Sequence, residues 1–194
     1  MLQLIKYPHP TLRHKCKPLR RVDAELRAMI REMFEAMYAH EGIGLAANQV
    51  DLPYRLLVIN LQGKADAKQE EHVLLNPVIQ QQKGSEEKEE GCLSFPGIYA
   101  PVKRSQKIVV NAYDLDGREI HWELDGLLAR AVQHECDHLD GRLFIDRISE
   151  TSFLEIKEDL EDLSIAFQAD RDRGLIASDD AIAARLRDLE SART

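Results

Sequence analysis

No uninterrupted apolar run in this 194-residue chain exceeds four residues, which excludes a membrane-spanning helix. The opening residues, Met1-Leu2-Gln3-Leu4-Ile5-Lys6, lack the apolar stretch of a secretory signal, so the expected compartment is the cytoplasm. Cysteine is scarce: Cys16, Cys92 and Cys136 are too few and too scattered for a disulfide framework, which leaves ligand, nucleophile or core filler as their roles. Basic charge is also in short supply. The 26 Lys and Arg face 34 Asp and Glu, a net charge of −8 that argues against general nucleic-acid binding. Residues 1–21 reverse the sign with six Lys/Arg and no acid, a short stretch best read as solvated, whereas residues 150–194 carry six basic against twelve acidic residues. Neither an internal repeat nor a low-complexity tract is present, and the length suits one compact domain with an appendage.

What is there reads as α+β. Tyr7-Pro8-His9-Pro10 cannot be helical and forms an extended or turning arm. Val22, Leu26, Met29, Ile30, Met33, Phe34 and Met37 recur with helical spacing and predict an amphipathic helix over about 22–40, its Met stripe filling core. The Gly-rich segment 42–49 follows. Strands are expected over 54–60, 72–80 and 106–113, with 118–124 returning through the Asp116-Gly117 turn. The charged run 83–90 reads as a solvated loop. Asp125 is placed to N-cap a helix over about 126–140, closed by Gly141. From Glu150 the pattern is helical again, with Phe153, Ile156, Leu160, Leu163 and Phe167 on one face, a break at Gly174 and a short polar helix over about 179–191. Antiparallel strands around a central helix (residues 1–149), with an acidic helical extension (150–194) that is not a separate domain, is the expected architecture. The extension's apolar face should pack on the body or a partner, and its acidity argues against its being an RNA contact.

The chemistry centres on His134-Glu135-Cys136-Asp137-His138, an H-E-x-x-H on the second predicted helix. Two histidines four residues apart lie about 40° apart around a helix, so both imidazoles reach one ion. Glu135 stands beside the pair, while Cys136 points to the far side as packing. Leu127 and Ala131 share the histidine stripe and Leu128 lies near Glu135, so three ionisable groups occupy an otherwise apolar face. Buried polar groups without partners cost about 1–3 kcal/mol each, and a bound metal supplies the partner for two of them. A catalytic metal of this kind needs a third protein ligand and an open position. A third histidine six residues on is ruled out because position 144 is Phe. Glu155 or Glu158 on the following helix, and Cys92 in Glu90-Gly91-Cys92-Leu93-Ser94, both remain open by spacing alone.

The ordered segments Gly42-Ile43-Gly44-Leu45-Ala46-Ala47-Asn48-Gln49, Glu90-Gly91-Cys92-Leu93-Ser94 and His134-Glu135-Cys136-Asp137-His138 resemble the three motifs of the peptide deformylases. The likeness extends to Tyr7-Pro8-His9-Pro10, Leu12-Arg13, Asn76-Pro77 and residues 139–146, and covers about residues 1–150. Asn48 and Asp51 depart from many members, though neither is a chemical position. The resemblance implies that Cys92, His134 and His138 hold the metal, with a water in the fourth position whose pKa falls toward about 7. It makes Glu135 the general base toward that water and then the acid toward the leaving amine. It assigns the developing oxyanion to the Gln49 side-chain amide and the Leu93 backbone N–H. Leu127 and Ala131 would line an apolar slot for methionine, and the peptide would add as a strand along Ile43, Gly44 and Leu45 and along Gly91. No role follows for Arg130, which lies just off the histidine stripe. The implied activity is removal of the formyl group from the N-terminal methionine of nascent polypeptides. The implied ion is Fe²⁺, with Ni²⁺, Co²⁺ or Zn²⁺ as substitutes, and the expected partners are formyl-methionyl peptides and, transiently, the ribosome, with no membrane or specific nucleic acid. Two rivals are a zinc endopeptidase using Glu158, and a non-catalytic chain with a closed structural site drawing on Cys16.

Overall fold

The computed structural model describes residues 2–194. The proline-rich arm enters a single 3₁₀ turn, Pro10–Arg13. Helix α1 (Ala24–Ala39) starts where the Asp23 carboxylate accepts a hydrogen bond from the Leu26 N–H at 2.7 Å. Strand β1 (Gly44–Ala46) follows, then a 3₁₀ turn, Ala47–Val50, and β2 (Leu56–Ile59) and β3 (His72–Lys83). Strands β4 (Glu86–Cys92) and β5 (Phe95–Arg104) form their own hairpin, after which β6 (Lys107–Tyr113) and β7 (Glu119–Asp125) return to the first sheet. That sheet is antiparallel throughout, in the order β1-β2-β3-β6-β7.

Helix α2 (Gly126–Leu139) carries the H-E-x-x-H segment. The sheet lies between α1 and α2, which is why β2 reads as four consecutive apolar residues. Leu56 and Val58 join the cluster built on Leu26, Ile30, Met33 and Met37 of α1, whereas Leu57 and Ile59 join the cluster built on Ala129, Val132, Cys136 and Leu139 of α2. Burial on both faces removes the alternation a one-sided strand would show.

The α+β expectation agrees with this architecture, but three local readings need correction. Residues 86–90 are not a solvated loop: they form most of β4, and β3 itself runs on to Lys83. A charged strand gives no apolar alternation when one face meets water, and only Glu90 of that run is buried. Its pairing partner β5 carries the apolar face through Phe95, Ile98, Ala100 and Val102, but Pro96, Gly97 and Pro101 hide that strand from propensity. Residues 44–46, expected only as part of a Gly-rich segment, form strand β1. Asp125 does hold the N-cap position of α2, although its side chain makes no capping hydrogen bond.

Gly141 closes α2 with φ +70°, and a Cβ there would sit 2.4 Å from the Arg13 carbonyl oxygen. Only glycine allows that approach.

The extension folds back on the body as α3 (Glu150–Glu155), α4 (Lys157–Asp172) and α5 (Asp179–Arg193). Ile156 and Leu160 are buried against the hairpin with Leu12, Phe95 and Phe144, and the Phe167 ring meets His9 edge-on at 6.0 Å. Phe153, expected on the same face, stays 39% exposed. Helix α5 buries Ile182 and Leu186, and its last turn is anchored by charge. Glu190 pairs with Lys17 at 2.7 Å and His14 at 2.8 Å, and Arg193 reaches Asp23, Glu25 and Tyr54.

Candidate metal centre

One face of α2 is unusually polar for its burial: His134, Glu135, Asp137 and His138 are all buried. The β4–β5 hairpin crosses that face and brings Cys92 to it. The Cys92 Sγ lies 3.2 Å from the His138 Nε2, which lies 3.2 Å from the His134 Nε2, and all three donor atoms fall within 4.8 Å of one another. With bonds of about 2.0–2.1 Å to a tetrahedral ion, two imidazole nitrogens stand about 3.3 Å apart. The donor set therefore fits a divalent first-row cation and leaves a fourth position open.

Of the two imidazoles only His134 is aimed by a neighbour, since the buried His138 Nδ1 has no hydrogen-bond partner among the described residues. The His134 Nδ1–H donates to the Glu90 carboxylate at 2.6 Å, which leaves Nε2 as the free donor atom. Glu90 is itself held by Arg104 (Nε at 3.0 Å) and by Arg130 (2.9 Å), and Arg130 also donates to the Val102 and Glu86 carbonyls. Arg104 continues to Asp137, which is gripped from its other side by Arg147. A chain of paired charges thus ties α2 to both strands of the hairpin. Burial would raise the Glu90 pKa, but hydrogen bonds from His134 and Arg104 outweigh it and hold the carboxylate well below its usual range. Against burial, which would lower it, hydrogen bonds with Cys92 and Glu90 hold His134 well above the ordinary imidazole value. Burial first, and then the charge on His134, hold His138 well below it.

Glu135 differs from these groups. Its side chain is buried, its Oε2 has no hydrogen-bond partner among the described residues, and burial pushes its pKa up to about 7. Gly44 of β1 lies directly against it: a Cβ there would come 2.6 Å from the Glu135 Oε1. Gln49 is fixed at both ends of its amide. Its Oε1 accepts from the Ala46 N–H at 2.9 Å, and its NH₂ points at the Ser94 Oγ (3.3 Å) and the Cys92 Sγ (3.4 Å). Asn48 is fully buried and donates to the His138 carbonyl at 2.5 Å, satisfying one of the last carbonyls of α2.

A cleft of about 620 Å³ opens onto this centre. Cys92, His134, Glu135, Gln49 and Leu93 lie in its wall, with Ile43 just before β1, Gly44 from β1, Gly91 from β4, and Leu127 and Ala131 from α2. His138 lies deeper. Leu45, expected beside the peptide, is fully buried in the core of α1 and takes no part in the wall, because alternation along β1 turns its side chain inward. Glu155 and Glu158 are exposed on α3 and α4 and stand outside the donor cluster, since these helices pack on the hairpin and not beside the cleft. The endopeptidase arrangement is therefore not built. Cys16 is buried in the α2 core and adds no fourth ligand. Sequence reasoning missed Glu90, Arg104, Asp137 and Arg130 as supports. Glu90 and Asp137 had a signal, being charged members of motifs that must be buried; Arg104 had none.

Comparison with known proteins agrees with this geometry. Residues 1–153 match the polypeptide deformylase family. A peptide deformylase of Rhodopirellula baltica is 46% identical over 193 residues, covering 100% of this chain and 96% of that protein. Among solved structures, a peptide deformylase from Plasmodium falciparum superposes with a TM-score of 0.84 at 35% identity, over 86% of this chain and 97% of its own. A plant peptide deformylase gives 0.83 at 39% identity, over 92% and 95%. With three motifs in order, their residues gathered round one cleft, and a relative similar from end to end, this chain belongs to the polypeptide deformylase family.

Proposed function

We propose that Cys92, His134 and His138 hold the divalent metal on which this family depends, and that Glu135, Gln49 and Leu93 carry the chemistry beside it. The reaction is hydrolysis of the formamide C–N bond at the N-terminal formyl-methionine of nascent polypeptides, giving formate and a free amine. When bound, the metal acts as a Lewis acid and makes water a better nucleophile near neutral pH. As water attacks the formyl carbon, Glu135 takes its proton and returns it to the leaving nitrogen as the C–N bond breaks. The Gln49 NH₂, locked by the Ala46 contact, and the Leu93 N–H donate to the oxyanion as it forms. Leu127 and Ala131 border the methionine side chain, and the peptide backbone runs along Ile43, Gly44 and Gly91.

The mixed thiolate and imidazole set suits Fe²⁺, with Ni²⁺, Co²⁺ or Zn²⁺ as substitutes. We place the activity in the cytoplasm, in transient contact with ribosomes that present the nascent chain. One observation carries the reading: a buried carboxylate with an unpartnered oxygen lines the cleft beside Cys92 and His134, two of three converging metal donors. The test is Glu135→Gln, which keeps the shape and removes the base. Metal content should hold while formate release falls by roughly 10²–10⁴-fold. Turnover near that of the parent at full metal occupancy would remove Glu135 from its role.

A further inference from the structure

We propose that a second cavity, between the N-terminal arm and helices α4 and α5, binds a medium-chain aliphatic carboxylate, its head on the His9 Nε2–H and the Lys6 ammonium and its chain on α4.

This cavity holds about 750 Å³ and shares no wall residue with the catalytic cleft. Sites for small organic ligands span roughly 300–1,000 Å³. Its walls are anchored apart. The arm is fixed from behind, where the Ile5 N–H donates to the Gln49 carbonyl at 2.8 Å and the Tyr7 N–H to the Ser94 carbonyl at 3.0 Å. Ile156 and Leu160 hold the start of α4 in the hairpin core, and α5 is held by Ile182, Leu186 and the ion pair of Arg185 with Asp51. Closing the gap would break these contacts, so the apolar side chains that line it stay only partly covered. They include Leu163 and Phe167 of α4 with Leu175 and Ile176 just beyond, and Leu175 is 69% exposed.

One turn sets the polar end. The His9 N–H donates to the Lys6 carbonyl at 2.9 Å, which brings both residues to the same part of the wall. His9 is only 7% exposed. Its Nδ1 accepts from the Thr11 N–H at 3.3 Å, and burial outweighs the nearby Asp51 and lowers its pKa. The ring is therefore neutral, with its one proton on Nε2. That N–H has no hydrogen-bond partner among the described residues, a cost that an acceptor on a ligand removes. The surrounding charges specify an anion. Asp51 pairs with Arg185 and accepts from the Thr11 hydroxyl at 2.5 Å, Arg171 pairs with Asp179, and Asp170 pairs with Arg173. Among the described residues Lys6 is the one charged member of the wall without an ion-pair partner. A carboxylate meets both donors, and its alkyl chain covers the apolar wall.

The probes are hexanoate, octanoate and decanoate, with decyltrimethylammonium as a cation of equal chain, titrated into the zinc-loaded protein at about 20 mM and about 500 mM salt. Each buried methylene should tighten binding about fourfold, and decanoate should reach a Kd below about 0.5 mM. Decanoate should also move the His9 ring signals in spectra of ¹⁵N-histidine protein. His9→Asn keeps an oxygen for the Thr11 N–H but removes the Nε2–H, so it should weaken decanoate at least about tenfold with Tm and kcat unchanged. Lys6→Gln should weaken it about fourfold, at low salt only. Should His9→Asn not fold, Lys6→Gln and the His9 signals decide. A decanoate Kd above about 0.5 mM, a gain below about twofold per methylene, or equal binding of the cation would overturn the inference. So would either variant binding decanoate at low salt within about twofold of the parent. Shifts confined to His134 and His138 would also overturn it, by placing the acid at the metal centre.

Discussion

Replacing Gly44 with alanine tests how closely the backbone of β1 positions the Glu135 carboxylate, the proposed base. The new Cβ would lie 2.6 Å from the Glu135 Oε1 and 3.2 Å from its Cδ and Cγ. Ordinary contact begins near 3.4 Å, so the carboxylate must retreat by about 0.8 Å. Strand β1 cannot yield instead, because Gly44 pairs with Ile59 in the sheet and is buried. The carboxylate can yield, since its Oε2 is held by no partner and the cleft lies beside it. Overpacking of this size costs about 1–2 kcal/mol, or roughly 2–8 °C in Tm for a chain of this length. The effect on catalysis should be larger, because displacing a reacting group by about 1 Å costs up to about 10²-fold in rate. Gly44→Ala should therefore keep its metal, unfold a few degrees early and lose about 10- to 100-fold in kcat. Adding Glu135→Asp removes a methylene and should restore Tm without restoring rate. Formate release by Gly44→Ala within about threefold of the parent would refute the argument that this glycine sets the position of Glu135.

Three further outcomes are expected. Cys92→Ser should sharply weaken metal binding and activity in a metal titration, whereas Glu158→Gln, an exposed helix change, should stay within about 0.5 kcal/mol in stability and keep its metal; the reverse pattern would displace Cys92 as a ligand. Arg193→Ala frees the end of α5 from Asp23, Glu25 and Tyr54. Because Glu25 is 67% exposed and so well screened, the loss should be about 1–3 kcal/mol, seen as a Tm drop of roughly 3–10 °C with the kcat of the metal-loaded enzyme unchanged. Cys16 and Cys136 have pKa values pushed up to about 12 by burial, so a thiol reagent at pH 8 should label the folded, metal-free protein at one cysteine, Cys92, and reach three only after unfolding.

The parts of this protein legible from sequence are those governed by local period and spacing. The stripe from Leu26 to Met37, Asp125 at the N-cap position and the break at Gly141 define two helices without reference to the rest of the chain. The four-residue step from His134 to His138 is enough to bring two imidazoles together, and it also assigns Cys136 to the core. Resemblance supplied the third motif, and the ordered motifs together identified the family.

Only the tertiary structure decided the rest, because the deciding contacts join residues far apart in sequence. Cys92 becomes a neighbour of His138 through a hairpin whose strands hide behind charge and proline, and whose apolar face is defined by what packs on it. Glu90 is an exposed-looking member of an acidic run until Arg104, Arg130 and His134 surround it. Leu45 and Gly44 adjoin in one motif yet face the core and the cleft respectively, a division made by the sheet on which they lie. The choice among Cys92, Glu155 and Glu158, which spacing left open, depended on where two strands cross one helix. Helical period is a property of neighbours along the chain; the partner of a buried charge is a property of the fold.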